Sequence, residues 1–199
     1  MRVAMYYANA DVRLEEMPVP DPGPGDVLIR IRATGLCGSD VMEWYRKDKV
    51  PLVLGHEIAG EVAAVGEGVA RHAVGDRVVA SHHVPCLACP ACQAGHETAC
   101  DTIRTTTFHP GGFCEHVLVP AYNVERGGVY PIPDGVSFDE ATFTEPLACV
   151  LRGQRRLRLE ATRSVLVIGS GISGILHIAL ARALGAGRIL ATDVVPERL

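Results

Sequence analysis

Short β-branched and apolar runs, broken by glycine and proline, fill the chain up to about residue 150. The clearest are Val27-Leu28-Ile29-Arg30-Ile31-Arg32, Gly60-Glu61-Val62-Ala63-Ala64-Val65 and Asp76-Arg77-Val78-Val79-Ala80. Runs of this length between turn residues predict strands, and their rhythm suits a compact barrel or sandwich. Proline has no N–H to give to a ladder, so Pro18, Pro20, Pro22 and Pro24 predict exposed turns over 18–25.

The period changes near Thr144. Apolar residues over 147–159 recur at roughly helical spacing and predict a helix leading out of the first domain. The continuous apolar run Val165-Leu166-Val167-Ile168 then predicts a strand buried on both faces. It enters Gly169-Ser170-Gly171-Ile172-Ser173-Gly174 and a helical stretch to about Leu184, which Gly185 stops. A second strand, Ile189-Leu190-Ala191-Thr192, ends at Asp193. This is β-α-β. The expected domains are 1–152, β-rich, and 153–199, α/β. A dinucleotide-binding domain holds about six parallel strands. The two visible here lead to the expectation that this sequence is the N-terminal part of a longer protein.

The apolar content of 48% is ample for a packed core. A formal net charge of −4 gives no electrostatic footprint for nucleic acid. No apolar run approaches the roughly 20 residues of a membrane-spanning helix, and Met1-Arg2-Val3-Ala4-Met5-Tyr6 lacks the profile of a signal peptide. Seven cysteines without an export signal point to reduced thiols, metal binding and the cytoplasm rather than to disulfides.

Four of those cysteines, Cys86, Cys89, Cys92 and Cys100, form C-x2-C-x2-C-x7-C, a spacing that lets thiolates converge on one tetrahedral Zn²⁺. Four sulfur ligands leave no open position, so such a metal staples a loop and does no chemistry. Free or redox-active thiols are the alternative. Upstream lie Cys37 and Gly55-His56-Glu57, a mixed donor set that suits a second, open zinc site. Taken alone, a small buried cysteine and a satisfied core histidine explain them equally well. Gly169, Gly171 and Gly174 follow a strand, open a helix and precede Asp193 by 24 positions counted from Gly169. That context predicts pyrophosphate at the helix N-terminus and ribose hydroxyls on Asp193, favouring NAD over NADP.

Several runs together carry a resemblance: Gly35-Leu36-Cys37-Gly38-Ser39-Asp40, Gly55-His56-Glu57, the four-cysteine lobe over 86–100, Val74-Gly75-Asp76-Arg77-Val78, Gly111-Gly112-Phe113 and Glu145-Pro146-Leu147-Ala148. Through them the chain resembles the zinc-dependent medium-chain alcohol dehydrogenases, of the sorbitol/iditol dehydrogenase-like branch. The resemblance implies a β-rich GroES-like catalytic domain followed by a Rossmann domain, here present as its first β-α-β, with two Zn²⁺ per chain and NAD. It implies that Cys37, His56 and Glu145 hold the catalytic zinc, with Glu57 beside the metal or exchanging onto it. Ser39 then takes the substrate proton. Many members of the branch carry histidine three residues after this serine, where this chain has Met42.

The implied reaction is oxidation of a small secondary alcohol (a polyol, sugar or related cyclic alcohol) by a homo-oligomer, dimer or tetramer, with neither nucleic acid nor membrane as partner. A threonine dehydrogenase-like or simple alcohol dehydrogenase activity, a non-catalytic zinc-binding fragment and a thiol redox switch are the competing readings. Trp44 and Tyr45 fit a pocket lining or an ordinary core equally, Cys114 and Cys149 read as small buried residues, and His82, His83 and the other histidines as surface or packing.

Overall fold

Val27-Leu28-Ile29 and then alternating arginines build β3 (Val27–Gly35). Val27 and Ile29 are fully buried, while Arg30 and Arg32 both reach Glu61 on the outer face. Glu61 belongs to β5 (Glu57–Val65), which pairs antiparallel with β3 from Val27↔Val65 to Gly35↔Glu57. The sequence reading starts this strand at Gly60. Glu57 nevertheless enters the ladder. It can do so because a Cβ at Gly35 would lie 2.1 Å from Glu57 Oε2, so only glycine leaves room for the buried carboxylate opposite.

The computed structural model describes all residues, Met1–Leu199, and they form two units, Met1–Phe143 and Thr144–Leu199. In the first unit, β1 (Arg2–Ala8), β2 (Asp11–Glu16) and β4 (Leu52–Val53) make a three-stranded antiparallel sheet in the order β2-β1-β4. With β6 (Arg77–Ala80), β7 (His116–Val119) and β8 (Val129–Pro131), β3 and β5 make an antiparallel five-stranded sheet ordered β7-β3-β5-β6-β8. A bridge between Val3 and Cys114 ties the two sheets. Val27, Ile29, Ile58, Val62, Val78, Val117, Val119 and Phe108 form the core, each burial worth about 1.5–3 kcal/mol.

Four short helices decorate this unit: α1 (Glu43–Arg46), α2 (Pro90–Gln93), α3 (Ala121–Glu125) and α4 (Phe138–Ala141). Within α3, Asn123 is 1% exposed, and its amide nitrogen donates to Ser81 O at 3.0 Å and His82 O at 3.1 Å. One amide thus fixes the chain just after β6.

The second unit opens with α5 (Thr144–Arg156), three residues earlier than the apolar spacing suggests. Pro146 is tolerated in its first turn, where N–H groups lack intrahelical partners anyway. The helix ends by Arg156, and Arg158 turns left-handed at φ +50°. Next come β9 (Val165–Ile168), α6 (Ile172–Ala183) and β10 (Ile189–Thr192), the two strands pairing in parallel. Helix α6 packs on both strands and α5 packs on α6.

The expectation that β9 is buried on both faces does not hold. Val167 is 9% exposed, but Leu166 and Ile168 are 60% and 81% exposed. The strand alternates, and only the side that Val167 presents is covered within this unit. Cys149 is exposed and so is not the small buried residue expected, whereas Cys114 is half-buried and packs against the core. The exposed position of Cys149 on α5 and the partial cover around Cys114 are tertiary outcomes that residue size alone does not encode.

Replacing Asn123 by Leu removes both donors while keeping the volume. We expect a loss of about 2 kcal/mol in unfolding free energy, read from urea denaturation; a loss below about 0.5 kcal/mol would mean that the Ser81–His82 carbonyls do not depend on this amide.

Candidate active site

The register of β3 and β5 sets the site. Cys37 follows the end of β3 by two residues, and His56 immediately precedes β5, so the pairing of Gly35 with Glu57 brings the two loops together. Gly55 is locked in a left-handed turn at φ +89°, and a Cβ there would strike Phe113 at 2.6 Å. That turn delivers His56 to the cluster. The ligand atoms of Cys37, His56 and Glu57 all lie within 4.8 Å of one another.

Asp40 underlies this cluster. It is 3% exposed, its Oδ2 accepts the Cys37 N–H at 3.0 Å, and its Oδ1 faces His56 Nδ1 at 3.7 Å and an Arg46 guanidinium nitrogen at 3.8 Å. Asp40 Oδ1 and Arg46 Nε are buried without hydrogen-bond partners. A buried carboxylate between a positive guanidinium and an imidazole orients that imidazole and compensates charge at a metal. Ser39 lies in the same turn, its carbonyl accepting from Arg46 at 3.3 Å. Trp44 and Tyr45, 73% and 49% exposed, stand edge-to-face and are not core residues.

The chemistry of the donor set fits zinc. One thiolate, one imidazole and one carboxylate, crowded on a buried Asp40, form a mixed shell with room for a further ligand. The sequence reading missed one participant, Asp40, which carries a signal, since a carboxylate three residues after Cys37 can cap that turn. His82, expected as surface or packing, packs its ring 4.6 Å from that of His56 across 26 residues of chain.

The lobe fits a second, closed zinc. The Sγ atoms of Cys86, Cys89, Cys92 and Cys100 all lie within 4.8 Å of one another, and all seven cysteines of the chain are free. Sulfur separations of 4.0 Å (Cys86–Cys92) and 3.5 Å (Cys89–Cys92) bracket the ~3.8 Å expected from tetrahedral Zn–S bonds near 2.3 Å. The N–H groups of Ala88 and Cys89 point at Cys86 Sγ and hold its thiol below the ordinary range. The Cys86 N–H does the same at Cys100, bringing it down to about 6, whereas burial pushes Cys92 up to about 12.

In the second unit Glu145 occupies the first turn of α5, with the Cys149 Sγ 3.8 Å from its Oε1. Gly169 turns at φ +99°, Gly171 caps α6 and Gly174 lies buried in its first turn. Asp193 closes the loop. Its carboxylate accepts the Ser170 N–H at 2.7 Å and the Val195 N–H at 2.9 Å, and these amides, Val195 first, hold it below the usual carboxylate range.

Residues 23–134 match the alcohol dehydrogenase GroES-like domain family. The chain belongs to that family. The Bacillus subtilis (strain 168) sorbitol dehydrogenase is 34% identical over the whole chain, which covers 57% of that protein. An L-threonine 3-dehydrogenase of Rhizobium etli (strain CIAT 652) is 37% identical, with all of this chain and 59% of the relative aligned. The solved alcohol dehydrogenase TADH from Thermus sp. ATN1 superposes with a TM-score of 0.85 at 34% identity, covering 100% of this chain and 60% of that one. The chain therefore spans somewhat under two thirds of the length of these relatives. The five-stranded sheet with its cysteine lobe is the GroES-like domain of this chain, and β9-α6-β10 is a Rossmann-type β-α-β.

Elemental mass spectrometry of the purified protein should find two zinc ions per chain. Cys89→Ser should lower that to one and depress the melting temperature by several degrees, because a structural zinc contributes folding energy outright. An unchanged melting temperature would remove the lobe metal from the stability of the GroES-like domain.

Proposed function

We propose that the chain is the zinc-binding, NAD-dependent part of an alcohol dehydrogenase that oxidises a small secondary alcohol (a polyol, sugar or related alcohol) to the ketone. The single observation that carries this is the convergence of Cys37, His56 and Glu57, with a buried Asp40 holding the Cys37 backbone and facing His56. In this reading Cys37, His56 and Glu145 hold the catalytic zinc, and Glu57 stands ready as an exchanging carboxylate. Residues 1–152 make up the catalytic domain in this reading. Cys86, Cys89, Cys92 and Cys100 hold the structural zinc.

When bound, Zn²⁺ supplies Lewis acidity towards the alcohol, and NAD supplies the acceptor for its hydride. The chain's own residues do the rest. Cys37 and Glu145 bring two negative charges and His56 none, which balances a divalent cation and lets a neutral ketone leave. Asp40 holds the Cys37 backbone and faces His56, keeping the donors in place. Ser39 receives the substrate hydroxyl proton, and with Met42 three residues on, its onward path runs through bound water or the cofactor ribose rather than through a histidine. Gly169, Gly171 and Gly174 admit the pyrophosphate, and Asp193 takes the ribose hydroxyls with the lone pairs that Ser170 and Val195 leave free.

A threonine dehydrogenase-like specificity is the second reading, supported by the identity to the Rhizobium etli enzyme. In either case the partner is a small alcohol, the seven free thiols suit the reducing cytoplasm, and the working form is a homo-oligomer, a dimer or tetramer.

Cys37→Ser and His56→Ala should each abolish alcohol oxidation (a drop of at least about 10³-fold, as expected for loss of an electrostatic catalyst) and remove one zinc while the lobe zinc stays. Retained turnover in either variant would end the assignment. Asp193→Gly should erase the NAD preference; an unaltered ratio of NAD to NADP affinity, measured by fluorescence titration, would take Asp193 out of the cofactor site.

A further inference from the structure

Helices α5 and α6 are joined by a polar contact that has no task in that account. Although α5 packs on α6, only two of its residues are buried, Val150 and Gln154, one turn apart on the same face. Gln154 is 3% exposed. Its amide nitrogen donates to the His177 carbonyl at 2.8 Å and lies 3.3 Å from the His177 Nδ1. The amide has two hydrogens, so it serves both acceptors when Nδ1 keeps its lone pair.

An aliphatic side chain at this place would bury similar surface but would let the helices slide or rotate against each other. A hydrogen bond is directional. One buried polar group can fix the register of packed helices, at some cost in stability. The Gln154 amide therefore sets the rotation and the axial position of α5 on α6.

Both helices begin at groups to which the proposed function gives a ligand. Glu145 lies nine residues before Gln154, about 14 Å along α5 at the helical rise per residue. His177 stands three residues, close to one turn, beyond Gly174. Gly174 rests on the glycine turn itself, since a Cβ there would lie 1.9 Å from Gly169 O. The route from Glu145 to that turn thus runs along α5, across one amide and down one turn of α6.

We propose that Gln154 is a positioning residue that makes Glu145 and the glycine turn move together, so that zinc at the open site and NAD bind with mutual dependence. This rests on the reading given above, in which Glu145 holds zinc and the glycines admit the pyrophosphate. Such coupling is reciprocal: the factor that NAD adds to zinc affinity, zinc adds to NAD affinity.

The test measures zinc affinity at the open site against a competing chromogenic chelator, with and without saturating NAD, together with the melting temperature. Two variants remove the amide: Gln154→Leu keeps the bulk, and Gln154→Met keeps the length. In the wild type NAD should tighten the open site at least about 5-fold, the lower end of ordinary coupling between sites. Both variants should bring that factor close to one while the lobe zinc and the melting temperature are retained. A factor unchanged in both variants overturns the proposal, whatever the melting temperature does, because NAD shielding the metal by contact alone would persist without the amide. So does a wild-type factor near one, which needs no variant. If the wild type binds no NAD, or holds only the lobe zinc, the alcohol dehydrogenase reading itself fails, and the role of Gln154 falls with it.

Discussion

The antiparallel register that sets Gly35 opposite Glu57 is the constraint on which the site depends. Side chains repeat every two residues along a strand, so a slip of one residue would turn Glu57 away from the cluster and move Cys37 along its loop. The buried valines and isoleucines of β3 and β5 forbid that slip, because it would also expose Val27, Ile29, Ile58 and Val62 to water. Core packing and ligand placement are therefore one requirement. The apolar face that stabilises the sheet also fixes where sulfur, nitrogen and oxygen donors meet.

Polar groups then refine what the sheet sets coarsely. Asp40 links the Cys37 backbone to the His56 ring and is balanced by Arg46, while Asn123 holds the strand end from which His82 leans on His56. Each is buried, and each acts on a donor or its neighbour rather than on solvent. Buried polar groups are mostly paired; of the six buried side-chain atoms without a partner, Asp40 Oδ1, Arg46 Nε and His82 Nδ1 lie around this cluster, and His116 Nδ1, Tyr122 Oη and Gln154 Oε1 lie elsewhere.

Much of this was legible from spacing alone. The C-x2-C-x2-C-x7-C run gave four sulfurs that do converge, and the strand–glycine–helix–strand order from Val165 to Asp193 gave a β-α-β that does form. Both are local, with partners within about 30 residues. What could not be read was tertiary. Glu57 enters a strand only because glycine faces it, His82 reaches His56 only through the β5–β6 pairing, and Leu166 and Ile168 are exposed because cover lies on one side of β9. A continuous apolar run states what a strand could bury, not what is packed against it.

The contact between Asp193 and the glycine loop bears on how this protein meets acid. The carboxylate is ionised below the pH at which an ordinary aspartate protonates, because two backbone amides hold its charge. Its contribution to the loop is present above the unfolded value and fades only as the pH falls through the lower folded one. The glycine turn that Asp193 braces thus keeps this contact to a lower pH than an ordinary aspartate would allow.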